Sequence, residues 1–221
     1  MTTIQNVDVT SLLQHIASTL QGRNDILERE RIFFEEYLKN PQSCTLLLEC
    51  AINSTQPQLR QQSYIFLRQS ILNHWNLFQE SQKNSFVITL LQRLVPETQE
   101  PVLRSIANII STVHKLKNPP TNLDESYKFL VQFLTTEGGN GPTSSQIQIG
   151  LVLFAELLDG FISRHFDITP VLLVVYKKLT ESNLTLAKAA LKVVREYLPR
   201  CNSSAERDKM SKLFNPILNT I

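Results

Sequence analysis

One short stretch of this chain returns at a fixed interval. Leu59-Arg60 reappears as Leu103-Arg104 and again, with Gln in place of Arg, as Ile147-Gln148, each copy 44 residues after the last. A closer copy follows at Leu184 to Ala187. Between these points apolar residues recur at helical spacing, and Pro, Gly, Asn and Ser interrupt them often enough for short helices joined in hairpins. No stretch sustains the alternation of a strand. The pattern predicts helices over 9–21, 24–38, 42–53, 57–74, 79–95, 99–116, 122–136, 144–163, 168–181, 184–198 and 204–219.

Two helices per unit at a period of about 40 residues is the HEAT or armadillo signature. The expected fold class is therefore all-α, an α-α superhelix of about five helix pairs plus one unpaired C-terminal helix. The pairs fall at 1–39, 40–77, 78–118, 119–165 and 166–200, with a half repeat at 201–221. A single pair cannot bury its own apolar face; stacking the pairs makes the core continuous. The last predicted helix, with Met210, Leu213, Phe214, Ile217 and Leu218, lacks a partner, and Ile221 supplies no polar cap. The reading is of the N-terminal piece of a longer array.

Several boundaries carry their own signals. Asn24 and Asp25 are candidate caps for the second helix, Pro41 opens the third, and Pro57 belongs in the first turn of the fourth, where a missing N–H costs little. Pro119-Pro120 ends the sixth helix and Thr121 begins the next. The break from Glu137 to Ser145 holds three Gly and a Pro, and reads as a hairpin loop. Trp75, one turn beyond Ile71, is placed in the core.

Composition removes several function classes. With 42% hydrophobic residues and only six Gly in 221, the chain is neither disordered nor collagen-like. A net charge of +2 gives no concentrated basic surface for nucleic acid. Acidic residues predominate up to Glu49, whereas Lys188, Lys192, Arg195, Arg200, Arg207, Lys209 and Lys212 make the end basic. Cys44, Cys50 and Cys201 cannot all pair and show no CxxC spacing, so they read as buried free thiols. The longest apolar runs are broken by Glu156, Asp159 or Lys177, and no basic flank precedes an apolar run at the start, so neither a membrane span nor a signal peptide is expected. The glycosylation forms at Asn53, Asn183 and Asn202 are then expected to go unused.

No catalytic template fits. The loop Gly138-Gly-Asn-Gly-Pro lacks the Lys-Ser/Thr of a phosphate cradle and follows a helix where a dinucleotide fold needs a strand. His15, His74, His114 and His165 are scattered without a second ligand one turn away, and no GxSxG elbow marks a nucleophile. The chain is expected to bind rather than to catalyse, and to need no cofactor or metal. Arg60, Tyr64 and Arg68 line one flank of the fourth helix at i, i+4 and i+8, as Arg104 and Asn108 do on the sixth. Arg60 and Arg104 are as well suited to bonding a neighbouring turn as to meeting a partner. Tyr64 and Arg68 are expected to be freer.

The first third resembles the N-terminal region of the importin-β family of nuclear transport receptors. Arg31-Ile-Phe-Phe34-Glu35-Glu-Tyr-Leu38 is similar to the family's opening motif, with Phe34 replacing a small residue. Leu59-Arg60-Gln61-Gln-Ser63, then Phe66-Leu67-Arg68, Ile71 and Trp75, resembles its second repeat. The importin four branch is the most similar. One departure stands out: the family often places Asp in the turn within a pair, forming a ladder with the Arg, whereas the turns here carry Asn53-Ser54-Thr55 and Glu97-Thr98-Gln99.

The resemblance implies a receptor that shuttles between cytoplasm and nucleus through the nuclear pore. Its concave second-helix face would bind the GTP form of the small GTPase Ran, with Arg31, Glu35, Arg60, Tyr64, Arg68, Arg104 and Asn108 as contacts. Grooves between outer helices would take phenylalanine-glycine nucleoporins, and protein cargo would be released when Ran-GTP enters. The alternative is a general HEAT scaffold or adaptor of another multiprotein complex. Membrane is excluded and nucleic acid is disfavoured.

Overall fold

The computed structural model describes residues 7–138 and 141–200, together with 208 and 211. Ten α-helices follow one another, α1 (Val9–Thr19), α2 (Asn24–Tyr37), α3 (Ser43–Asn53), α4 (Pro57–His74), α5 (Glu80–Arg93), α6 (Glu100–His114), α7 (Leu123–Thr135), α8 (Ser144–Ser163), α9 (Thr169–Thr180) and α10 (Leu184–Tyr197). There is no strand among the described residues. The expected helix at 204–219, Cys201 and the loop residues Gly139 and Asn140 lie outside them.

Polar caps set many of the starts. Asp8 accepts the Ser11 amide at 2.7 Å, Asn122 accepts that of Glu125, and Asn183 those of Thr185 and Leu186. Gln79 with Gln82 and Thr143 with Gln146 form reciprocal capping boxes. Pro57 sits in the first turn of α4 as expected. Other boundary expectations need correction. Asn24 and Asp25 are already inside α2, flanked by Arg23, and neither caps it. Pro41 lies in the turn ahead of α3, which begins at Ser43. α6 stops at His114, before the prolines, and Thr121 precedes the true cap of α7 while its amide is held by Glu80 at 2.7 Å.

The helices form an all-α array of stacked hairpins. α4, α6, α8 and α10 pack side by side in one row, while α5, α7 and α9 follow each other in a second. Each of α3, α5, α7 and α9 packs on the helix after it, and α1 lies against α2, α3 and α4. The core is continuous from Leu12 to Tyr197. Hydrogen bonds join neighbouring pairs at nearly one repeat's separation. His74 Nε2 reaches Leu38 O at 2.9 Å, Trp75 Nε1 donates to Asn118 O at 2.8 Å, and Lys177 donates to Glu137 at 2.6 Å.

Trp75 is buried, as expected, and so are the free thiols Cys44 and Cys50. Glu30 is buried on α2 and is held by His15 of α1 at 2.6 Å and by Arg29 at 2.8 Å, so its charge is not left without partners. α8 has the length and mean hydropathy to cross a membrane. Its apolar character is used by α6, α7 and α10, which pack against it. Gly150 lets α7 approach closely, since a Cβ there would lie 2.9 Å from Leu134 Cδ2 and 3.2 Å from Phe133 Cε1.

Candidate partner-binding surface on the second helices

The row α4, α6, α8 and α10 carries a polar groove of about 340 Å³, lined among others by Arg68, Asn108, Thr112, Lys115, Glu156 and Lys192. The i, i+4 spacing of Asn108 and Thr112 puts both on one side of α6, where the Thr112 hydroxyl donates to Asn108 O at 2.6 Å. The Thr112 hydroxyl oxygen also accepts from Arg68 Nε at 3.1 Å, which ties α4 to α6 across the groove. At the other end Glu156 of α8 receives Lys115, at the C-terminal cap of α6, and Lys192 of α10. One carboxylate thus links three neighbouring second helices.

The hydrogen bonds from Lys115 and Lys192 hold the Glu156 carboxyl at about 2, down from its ordinary 4.5. A depressed folded-state pKa contributes stability above the unfolded value, and that stability is lost as pH falls through the folded one. The window is therefore about pH 4.5 down to about 2. Wild-type melting temperature should drop more steeply across this window than that of Glu156→Gln, with the two curves converging at the acid end. Parallel curves in thermal melts monitored by circular dichroism would contradict this.

Of the residues expected from sequence, the groove brings together Arg68 and Asn108, both exposed. Arg31 and Glu35 form a separate exposed cluster on α2, where Arg31 bonds Glu28 at 2.7 Å and also reaches Glu35; these carboxylates raise the Arg31 pKa. Arg104 is exposed and, among the described residues, bonds only Glu100, one turn back, at 2.9 Å. It is the fifth residue of its helix, whereas Arg60 is the fourth of its own, and it reaches no neighbouring turn.

Arg60 does reach one. Its guanidinium donates to both Glu97 oxygens at 2.9 and 3.0 Å and to Thr55 O at 3.0 Å. Glu97 is buried and turns back to accept the Thr98 and Gln99 amides at 3.0 and 2.9 Å. Glu97 thus makes the turn-to-Arg contact that a shorter Asp would make. From the opposite side the Gln146 amide donates to Leu94 O, Val95 O and Glu97 O at 2.7–2.9 Å. Tyr64 needs correction: only 2% of it is exposed, and burial pushes its phenol up to about 12. The i+4 spacing from Arg60 holds, but that flank of α4 turns into the core, so Tyr64 is a packing residue and not a surface contact.

Lys115, Glu156 and Lys192 were not singled out together in the sequence. Their signal was there, since they lie 41 and 36 residues apart, near one repeat each. It was hidden because each is an ordinary surface charge when taken alone.

Residues 34–110 match the family model described as the importin-beta N-terminal domain. Over these residues the chain is similar to the importin-β family. A comparison with curated proteins finds no match. The matched segment runs from within α2 to within α6, so it takes in Arg60, Arg68, Arg104 and Asn108, whereas Lys115, Glu156 and Lys192 lie beyond it. It also contains α3 and α5, between which opens a second groove of about 370 Å³ lined by Leu48, Phe78 and Phe86 together with Ser and Thr side chains. Leu48, Phe78 and Phe86 are only partly buried, leaving shallow apolar surface on the first-helix side.

Proposed function

We propose that the chain is the N-terminal HEAT array of a nuclear transport receptor that binds Ran-GTP on its second-helix row. The observation that carries this reading is the importin-beta N-terminal match lying over the helices that hold Arg68 and Asn108 at an exposed groove. Arg68 is the central contact, with Asn108 beside it; Arg31 and Glu35 extend the surface on α2. Arg60 acts indirectly, by holding the turn at Glu97. Arg104 is a peripheral contact.

Nucleotide stays on Ran, and the chain works by binding alone. The apolar groove between α3 and α5 takes phenylalanine side chains of nucleoporins, its shallow contacts suiting fast release. Cargo leaves when Ran-GTP binds, and the receptor shuttles between cytoplasm and nucleus. The test is a pull-down with Ran loaded with GTP or GDP. Binding is expected for the GTP form alone, and Arg68→Ala should weaken it by about tenfold, the effect of a central charged contact. Equal capture of both forms, or of neither, sinks the reading and leaves a general scaffold.

A further inference from the structure

The groove at Lys115, Glu156 and Lys192 has an electrostatic imbalance. Three cations, Arg68, Lys115 and Lys192, line it against one carboxylate. An ammonium carries three donors and a guanidinium five. Glu156 engages one cation on each side, while Arg68 commits its Nε to Thr112. The terminal nitrogens of Arg68 have no hydrogen bond among the described residues, and the Lys115 side chain is 57% exposed. The floor is apolar, made by Ala107, Val152 and Leu153. One turn before Lys192, exposed Lys188 continues the positive charge along α10.

We propose that this groove binds an acidic peptide segment of a protein partner, whose carboxylates take Lys115, Lys192 and Arg68 in competition with Glu156. In the free chain Glu156 stands in for the partner's acid. It orients both lysines and spares them an unpaired state, and it also weakens binding because an incoming carboxylate must share or displace it. A basic segment finds no vacancy, since Glu156, the one carboxylate among the described residues lining the groove, already has two cations. A phosphate backbone is disfavoured by the short run of cations with Glu156 in its middle. The inference rests on the second-helix row being the partner face and names the chemistry recognised there.

The test uses fluorescence anisotropy with a labelled octaglutamate peptide, on the full chain and on Glu156→Gln, Lys115→Gln, Lys192→Gln and the double lysine variant. Circular dichroism melts establish that each variant is folded. Wild type is expected to bind in a salt-sensitive manner. Glu156→Gln should bind about tenfold more tightly, and the double lysine variant at least about tenfold more weakly, as removal and loss of competing charge require. The proposal is overturned if wild type fails to bind, if Glu156→Gln binds no better, or if the double variant binds as well as wild type. A DNA oligonucleotide bound more tightly through the same lysines would assign the groove to nucleic acid and overturn it equally. Ran-GTP binding is measured on the same samples. If it persists while octaglutamate fails, only this inference falls; if both fail, the transport reading falls with it.

Discussion

Glu97→Ala should lower the melting temperature by about 6–12 °C, the shift that a loss of about 3 kcal/mol gives in a chain of this size. The carboxylate has two tasks. It takes both forks of the Arg60 guanidinium, whose side chain is only 19% exposed, and it satisfies the amides of Thr98 and Gln99 at the start of the next helix. Removing it leaves a largely buried guanidinium without its counter-charge and two amides without an acceptor, so the cost exceeds that of a surface pair. The combined variant Arg60→Met, Glu97→Leu should recover part of the loss, because an apolar pair avoids the unpaired charge but cannot cap the turn. Circular dichroism melts decide this. A Glu97→Ala protein that melts within about 2 °C of wild type, less than a single kcal/mol would produce, would show that the pair contributes no more than an exposed one.

Trp75→Ala should be more damaging, at about 4 kcal/mol, the usual range for emptying a buried aromatic site. The indole is 2% exposed, meets Phe78 and Phe86 edge-on at 5.8 and 6.0 Å, and donates to Asn118 O at 2.8 Å. It therefore fastens the end of α4 to α5 and to the segment after α6. Trp75→Phe keeps most of the packing and loses the N–H, leaving Asn118 O short of one donor, so about 1–2 kcal/mol is expected. Urea unfolding followed by circular dichroism measures both. The chain has a single Trp, so in every other variant its fluorescence follows this same junction. Equal costs for Ala and Phe would mean that the hydrogen bond, and not the ring, holds the site.

Much of this fold was legible because helical arrays write their contacts locally. Each predicted helix in the described region falls within two residues of the observed one at either end. The sequence places Trp75 in the core, and it is buried, as is Ile71 one turn before it. What periodicity could not resolve was the edge of the apolar stripe. Tyr64 lies one turn from a polar Arg60 and one turn from an exposed Arg68, yet its ring turns inward, since a flank inclined to the helix axis passes from surface to core over two turns. The caps at Asn24 and Pro41 failed for a related reason. The turn geometry, not the residue preference, decides which amide is presented, and there the chain enters the helix one or two residues away from the suggestive side chain.

The site was legible in part. Arg68 and Asn108 could be placed because their helices carry strong patterns. The Lys115, Glu156 and Lys192 bridge depends on three helices coming side by side, a fact of tertiary packing. The role of Glu97 is obscured in the sequence because it stands where a shorter acid is usual. An extra methylene still lets the carboxylate reach Arg60 and fold back on its own turn.

The segment from Leu94 to Gln99 is gripped by Arg60 from the preceding hairpin and by Gln146 from the following one. Three hairpins are thus riveted at a single joint, and that joint cannot serve as a pivot. Any bending of the array must be displaced toward either extremity, and amides around Glu97 should be among the slowest to exchange with deuterated solvent.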